Sequence, residues 1–596
     1  MRVGIEGRTR YRLSPDGTKL SWIAFENDFA ALHVQAVGGG PVTIISLYRV
    51  PILNYAWTAD NRHILIDRDD DGTENDHILV ADIEHPENPV DATPAPGSKS
   101  IAYFVPSANP RIAYITSNER DRTEFDLYAV DLASGTKMLV DTADGTPTRW
   151  LIDRDGTVRG RIRKSWYAVH DAATGAFDER WRITPGDFFI PVGDVGKDGN
   201  GWAFSNHQRD RMALVRFNLE TGEESEIYSD PTVDVTDALI DRDRQTPLLA
   251  MSWPDRQNLH VFEPALAAAL AEIRGDESNV LTIAATDDAQ QSLIVEIDSA
   301  DEGWTETYLL DRRNYAHRLL GRNERDIWRH RISPTMPISI KALDGLVLHG
   351  FLTLPKGAPA QHLPMVLLVH GGPWDRDRWG FSTQTQFLAN RGYAVLRINY
   401  RGSTGYGRKF LAAGIRQFGK AMQQDLSDAV AWAVEQGIAD PDKVAIMGGS
   451  YGGYAAMMGL VRTPKLYAAA VEFNGMTDLV AFSEALPPYW NRQIWDGFVG
   501  DPKKAGDRDR MKDASPLTHI DRISRPLLAL QSLNDVRVKH DQFDRFVAAM
   551  RAAGKTVEAV EFPAEGHSPR NATDLYNYYR DVERFLAKYL GGRAGP

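Results

Sequence analysis

The sequence predicts two folds in one chain: a seven-bladed β-propeller over residues 1–325 and a doubly wound α/β domain with a mostly parallel sheet over residues 326–596. Three observations carry this reading. Turn pairs recur through the first half at intervals of 43 to 49 residues. Short β-rich runs flank those turns. Past Arg325 the grammar changes, and long apolar strands alternate with amphipathic helices.

The turns of the first half fall at Asp16-Gly17, Asp60-Asn61, Asn109-Pro110, Asp155-Gly156 and Asp198-Gly199, with weaker echoes at Asp243 and Asp288. The runs beside them include "KLSWIAF", "HILIDRD" and "RIAYITS". A second series, Ser134-Gly135, Thr174-Gly175 and Thr221-Gly222, separates further short strands. Each reads as a hairpin in which glycine supplies positive φ. Four short strands in a period of roughly 45 residues describe a propeller blade, and seven turn centres imply seven blades. A pair of β-sandwiches would have no reason to keep that period. "PALAAALAEI", Pro264 to Ile273, reads as a helix out of place and marks the least regular part.

In the second half the strand candidates are Met365–His370, Tyr393–Tyr400, Lys443–Gly448, Tyr467–Phe473, Pro526–Ser532 and Val557–Pro563. Gln424–Gly437 and Asp541–Gly554 carry apolar residues at helical spacing. Strands that are nearly all apolar are buried on both faces, which requires a parallel sheet covered by helices.

Gly448-Gly449-Ser450-Tyr451-Gly452 lies where one of these strands ends and a helix begins. G-x-S-x-G in that setting is a nucleophile elbow, a tight turn that lifts the serine hydroxyl out of an α/β-hydrolase sheet. The residues two before and two after must be small, because neighbouring backbone passes close to them. A phosphate-binding loop is the rival reading, but no lysine follows the glycines. A serine needs a base, and in this fold the acid and the histidine follow it in that order. Asp535 stands just past the strand "PLLALQS" and His567 just past "VEAVEFP", so both fall on the sheet edge that carries Ser450. Asp501, Asp541 and Asp544 sit in loop or helix contexts, and neither His519 nor His540 follows a strand. Two backbone donors are expected for an oxyanion: the amide of Tyr451, and Gly371-Gly372 in the loop after "MVLLVH". His370 reads as ordering that loop rather than as a base.

Composition narrows the function classes. The chain of 596 residues is 43% hydrophobic and 25% charged, as expected of a globular protein of several domains. Its net charge of −13 argues against nucleic-acid binding. It has no cysteine, which excludes disulfides, thiolate metal sites and a cysteine nucleophile. No apolar run is long enough to span a membrane, and the first residues lack the apolar centre of a signal peptide. The expectation is a cytoplasmic protein with no cofactor and no metal; a trimmed leader would leave a periplasmic or secreted location open.

These residues resemble the prolyl oligopeptidase family of serine peptidases, especially its acylaminoacyl-peptidase and dipeptidyl aminopeptidase branch. The resemblance rests on "HGGPWDRDRWGF" (His370–Phe381), "LANRGYAVLRINYRGSTGYG" (Leu388–Gly407), "DLSDAVAWAVEQGIADPDKVAIMGGSYGGY" (Asp425–Tyr454) and "AEGHS" (Ala564–Ser568), and spans most of residues 335–596. It implies a catalytic triad of Ser450, Asp535 and His567, with Tyr451, Gly371 and Gly372 at the oxyanion. It also implies that Arg537 holds a substrate carbonyl; a surface ion pair is the other reading of that arginine. Two departures stand out. Gln531-Ser532 replace the His-Gly that the family carries before its catalytic aspartate, and the helical segment that often precedes the propeller is short or absent, since the first blade turn is already at Asp16. That segment often builds a dimer, so homo-oligomerisation stays open.

The expected activity is hydrolysis of short peptides through an acyl-enzyme, with acylated residues or dipeptides as candidate products. By the resemblance, the propeller would act as a size filter over the site. An esterase or amidase of small molecules could use the same triad. A non-catalytic interaction protein built on the propeller is the third reading. Recognition of a free N-terminal amine would need an acidic pocket, for which Glu119 and Glu124 are candidates; an ordinary strand-flanking loop is the other reading of that stretch.

Overall fold

The computed structural model describes residues 7–26, 29–46, 52–69, 72–144, 148–163, 166–171, 174–183, 186–324 and 332–595. The expected boundary at 325/326 lies outside them. Seven small antiparallel sheets come first, covering residues 9–46, 52–91, 100–141, 148–182, 189–228, 235–261 and 280–324. They form a seven-bladed propeller. All seven turn centres read from the sequence fall between the first and second strands of a blade, as at Asp16-Gly17 between Thr9–Leu13 and Lys19–Glu26. The Ser134-Gly135 series falls between third and fourth strands. The sixth blade has three strands. Its fourth place is taken by the helix Pro264–Arg274, which buries Leu266, Leu270 and Ile273 against blade seven.

Side-chain burial explains why the blades assemble. A four-stranded sheet with two apolar faces cannot shield both alone, and each blade packs on the next. Apolar clusters lie between successive blades: Ile23 and Leu32 meet Tyr55 and Ile64, Leu65 and Val80 meet Ile115 and Val130, and the pattern repeats round the ring. Each blade is one contiguous stretch of chain, and among the described residues no strand exchange joins the first blade to the last. Tyr11, Leu13, Leu20 and Trp22 close the ring by packing on Ile294.

The C-terminal sheet has eight strands in the order Thr335–Lys341, Val347–Thr353, Ala394–Asn399, Leu363–Val369, Ala439–Gly449, Ala469–Phe473, Leu527–Ser532, Val557–Phe562. The first two are antiparallel additions; from Ala394–Asn399 onward every pairing is parallel. Helices Ala421–Glu435, Tyr451–Arg462 and His540–Ala552 cover one face, and Thr383–Asn390 with Ala572–Leu590 covers the other. The chain reverses its direction across the sheet between Leu363–Val369 and Ala439–Gly449. In open α/β sheets, loops leaving two strands at such a reversal diverge, and ligands bind between them at the carboxyl ends. Here the loops leaving the two strands carry Gly371-Gly372 and Ser450.

The two parts touch at several points. Arg408 pairs with Asp187 at 2.5 Å, Arg537 with Glu74 at 2.6 Å and Arg570 with Asp69 at 3.0 Å. Trp379 packs with Met251 and Trp253, and its Nε1–H donates to Ser278 O at 2.7 Å.

Candidate active site

Ser450 occupies a left-handed turn, φ 55° and ψ −119°, at the head of the helix Tyr451–Arg462. Few non-glycine residues take that conformation, and its cost is held by the surrounding packing. The flanking glycines are required by space. A Cβ on Gly448 would lie 2.6 Å from the Val369 oxygen, and one on Gly452 would lie 2.2 Å from the same atom. The Ser450 N–H donates to Phe473 O at 2.8 Å, which ties the elbow to the neighbouring strand.

Asp535 and His567 are joined. His567 Nδ1 lies 2.7 Å from Asp535 Oδ2, and the aspartate side chain is fully buried. Asp535 Oδ1 accepts the amides of Arg537 at 2.8 Å and Val538 at 3.0 Å, so both carboxylate oxygens are held. Nδ1 facing a carboxylate carries the ring proton, which leaves Nε2 as the basic nitrogen. Ser450 Oγ makes no hydrogen bond to His567 among the described residues; such catalytic bonds often form only with substrate in place. The two nevertheless converge on one dipeptide: Phe473 O takes the Ser450 amide, and Asn474 Nδ2 donates to the His567 carbonyl at 3.0 Å.

The oxyanion candidates lie beside the serine. A Cβ on Gly371 would sit 3.6 Å from Ser450 Cβ, and Gly372 holds a φ of +113° that favours glycine. Tyr451 stands at the first position of its helix, where backbone N–H groups have no intrahelical acceptor and the helix dipole is positive. Its ring is buried against Tyr400, Phe418 and Tyr454. His370 stacks on Tyr400 at 4.4 Å, with Nδ1 2.8 Å from Gly371 O and Nε2 3.0 Å from Ser403 Oγ. Burial lowers its pKa and keeps it neutral, consistent with ordering the loop.

The departure at Gln531-Ser532 is absorbed by local bonds. Gln531 Nε2 donates to the carbonyls of Ser532 at 2.9 Å and Val538 at 3.1 Å, and so braces the loop that presents Asp535. Arg537 commits its Nε to Glu74, while the side chain stays 42% exposed. Glu74 also lies near Lys99, whose Nζ is 2.7 Å from Asp76. Tyr489 stands beside this group, and its ring meets Phe125 edge-on at 6.0 Å. Of the two acids named from sequence, Glu119 is tied to Lys137, and Glu124 is buried next to Phe125.

Sequence reasoning missed Asn474 and Glu472. "VEFNG" carries a turn signal at Asn474-Gly475, and an acid inside an otherwise apolar strand is rare enough to notice. Burial pushes the Glu472 carboxyl up to about 8. The folded protein therefore keeps this proton between pH 4.5 and 8, where the unfolded chain has lost it. Stability from this group is complete below pH 4.5 and declines as pH rises toward 8. A Glu472→Gln variant should gain on the wild type across that window, by on the order of a few kcal/mol at its upper end, with no further gain above it. Urea unfolding of both proteins at pH 5, 6.5 and 8 checks this; a constant difference would refute it.

The model of the prolyl oligopeptidase family matches residues 379–593. Dipeptidyl aminopeptidase BIII of Pseudoxanthomonas mexicana is 32% identical over 99% of this chain and 88% of its own length. The chain belongs to the prolyl oligopeptidase family. It is a serine peptidase. Within the family it is 31% identical to an acylamino-acid-releasing enzyme of Arabidopsis thaliana, over 38% of this chain and 30% of that one. The crystal structure of puromycin hydrolase superposes with a TM-score of 0.80 at 19% identity, covering 100% of this chain and 96% of that one, which shows a shared fold. No helix among the described residues is long and apolar enough to cross a membrane.

Proposed function

We propose that Ser450, Asp535 and His567 form the catalytic triad of an exopeptidase that removes dipeptides from the free N-termini of short peptides. The observation that carries the triad is the 2.7 Å contact from Asp535 to His567 Nδ1, set beside a strained serine turn on the same sheet edge. Ser450 Oγ attacks the scissile carbonyl carbon while its proton passes to His567 Nε2. Asp535 fixes the tautomer and stabilises the imidazolium. The amides of Tyr451 and of Gly371-Gly372 hold the oxyanion, each donor worth about 3 kcal/mol of barrier. The C–N bond then breaks, His567 protonates the departing amine, and water repeats the cycle on the acyl-enzyme to free Ser450.

Two features support dipeptide release. The likeness to a dipeptidyl aminopeptidase runs the length of the chain, whereas that to the acylamino-acid-releasing enzyme covers 38% of it. The propeller also carries acids near Arg537 and Tyr489: Glu74 is 2.6 Å from Arg537, and Glu124 precedes Phe125, whose ring meets Tyr489. A substrate ammonium would be met by these carboxylates and a substrate carbonyl by the Nη groups of Arg537, which make no hydrogen bond among the described residues. The propeller over the site would admit peptides and reject folded proteins.

Mass spectrometry of a peptide library with free and acetylated N-termini tests the reading. Dipeptides should accumulate from free peptides and vanish on acetylation. Release of acetylated amino acids would replace it with the acyl-releasing reading, and cleavage of aryl esters with no peptide cleavage would sink both.

A further inference from the structure

We propose that Glu472 is a positioning residue for peptide hydrolysis, setting the nucleophile and the base together through the turn Phe473-Asn474-Gly475. The inference rests on Ser450 and His567 acting as proposed above. Glu472 is 3% exposed and lies in the strand Ala469–Phe473, between the strands that lead to Ser450 and Asp535. Its Oε2 accepts the Gly475 amide at 2.9 Å, closing the turn from beneath. The same oxygen reaches the first turn of the elbow helix, 3.3 Å from where a Cβ on Gly453 would stand. A Cβ on Gly475 would lie 2.7 Å from the Gly453 carbonyl carbon, so helix and turn are in direct backbone contact around this carboxyl.

The turn it closes handles both reacting groups. Phe473 O receives the Ser450 amide at 2.8 Å. Asn474, held at φ 49°, makes three hydrogen bonds to two other segments: its Nδ2 donates to the His567 carbonyl at 3.0 Å and to Ser532 Oγ at 3.3 Å, and its Oδ1 accepts the Ser532 amide at 2.8 Å. Asparagine tolerates this left-handed conformation better than most residues. Without an acceptor at position 472 the Gly475 amide would be buried unpaired, and the turn would move to satisfy it. Movement there shifts Ser450 through Phe473 O and His567 through Asn474 at once. A protonated or ionised carboxyl, or an amide, can all accept the Gly475 N–H; a hydrocarbon cannot.

The test compares Glu472→Leu, Glu472→Asp, Glu472→Gln, Asn474→Gly and the double variant Glu472→Leu/Asn474→Gly in the full chain. Leucine offers no acceptor, aspartate is one methylene too short to reach, glutamine keeps the acceptor, and glycine keeps the backbone conformation without the bridge. Readouts are kcat and KM on a peptide substrate, the rate of fluorophosphonate labelling at Ser450, and thermal unfolding. Glu472→Leu, Glu472→Asp and Asn474→Gly should each lose about tenfold or more in kcat and in labelling rate, with KM within roughly twofold, as misplacement of reacting groups produces. Glutamine should restore kcat to within about threefold. The double variant should lose no more than the worse single variant, because the two residues act through one turn. Where the leucine protein fails to fold, the aspartate protein carries the comparison. Folded Glu472→Asp or Glu472→Leu with wild-type kcat and labelling would overturn the proposal, as would additive losses in the double variant. Wild-type protein that does not label at Ser450 would overturn the triad assignment instead.

Discussion

Replacing Asp535 with asparagine should lower kcat by roughly ten-thousand-fold while the protein stays folded. The reason is the direction of hydrogen bonds around one carboxylate. Oδ1 accepts two backbone amides, from Arg537 and Val538, and asparagine can keep both with its carbonyl oxygen. Its NH2 group must then face His567 Nδ1 where Oδ2 stood at 2.7 Å. A donor in that place drives the ring proton to Nε2, and the nitrogen that should take the serine proton is no longer a base. Packing changes little, since the residue is isosteric, so thermal unfolding should move by only a few degrees. Steady-state kinetics beside a melting curve decide the matter. A loss below tenfold in folded protein would mean that another group orients His567.

Placing valine at Gly566 should cut kcat/KM by at least about a hundredfold, the scale expected when reacting groups are displaced by roughly an ångström. Gly566 immediately precedes His567, and the propeller presses on it directly. A Cβ at Gly566 would lie 2.1 Å from the Gly72 oxygen, and one at Gly72 would lie 2.9 Å from the Gly566 amide. Both neighbours are backbone atoms that cannot swing aside as a flexible side chain can. The flanking ion pairs, Arg570 with Asp69 and Arg537 with Glu74, come from blade two and grip the two loops that carry His567 and Asp535. The extra side chain must therefore lift the propeller loop or push back the histidine. Because the clash is between two parts and not within a core, the cores of both parts should still fold. Wild-type kcat/KM in folded Gly566→Val protein would show that this contact does not hold His567 in place.

Much of this was legible from residue order. The propeller was readable because a hairpin turn needs glycine, asparagine or aspartate at set places, and seven blades repeat the demand. The parallel sheet was readable because a strand buried on both faces must be apolar along its length, as Ala394–Asn399 is. The elbow was readable because only glycine fits at 448 and 452. The sixth blade departed from the pattern where "PALAAALAEI" follows its own helical period and fills the fourth strand's place.

By itself, the sequence determined the local and periodic features: strand, turn and helix types, the two-part architecture, and the order of Ser450, Asp535 and His567 along one sheet edge. Tertiary structure alone decided which distant groups support them. Asn474 bridging Ser532 and His567, Glu472 beneath Gly475, Gln531 bracing the Asp535 loop, and Asp69 and Glu74 of blade two gripping the histidine and aspartate loops are all contacts between chain segments brought together by folding. The physical reason is range. Backbone conformation is set by a residue and its near neighbours, and it leaves a periodic mark; a hydrogen bond between Arg570 and Asp69 joins positions hundreds of residues apart and leaves none.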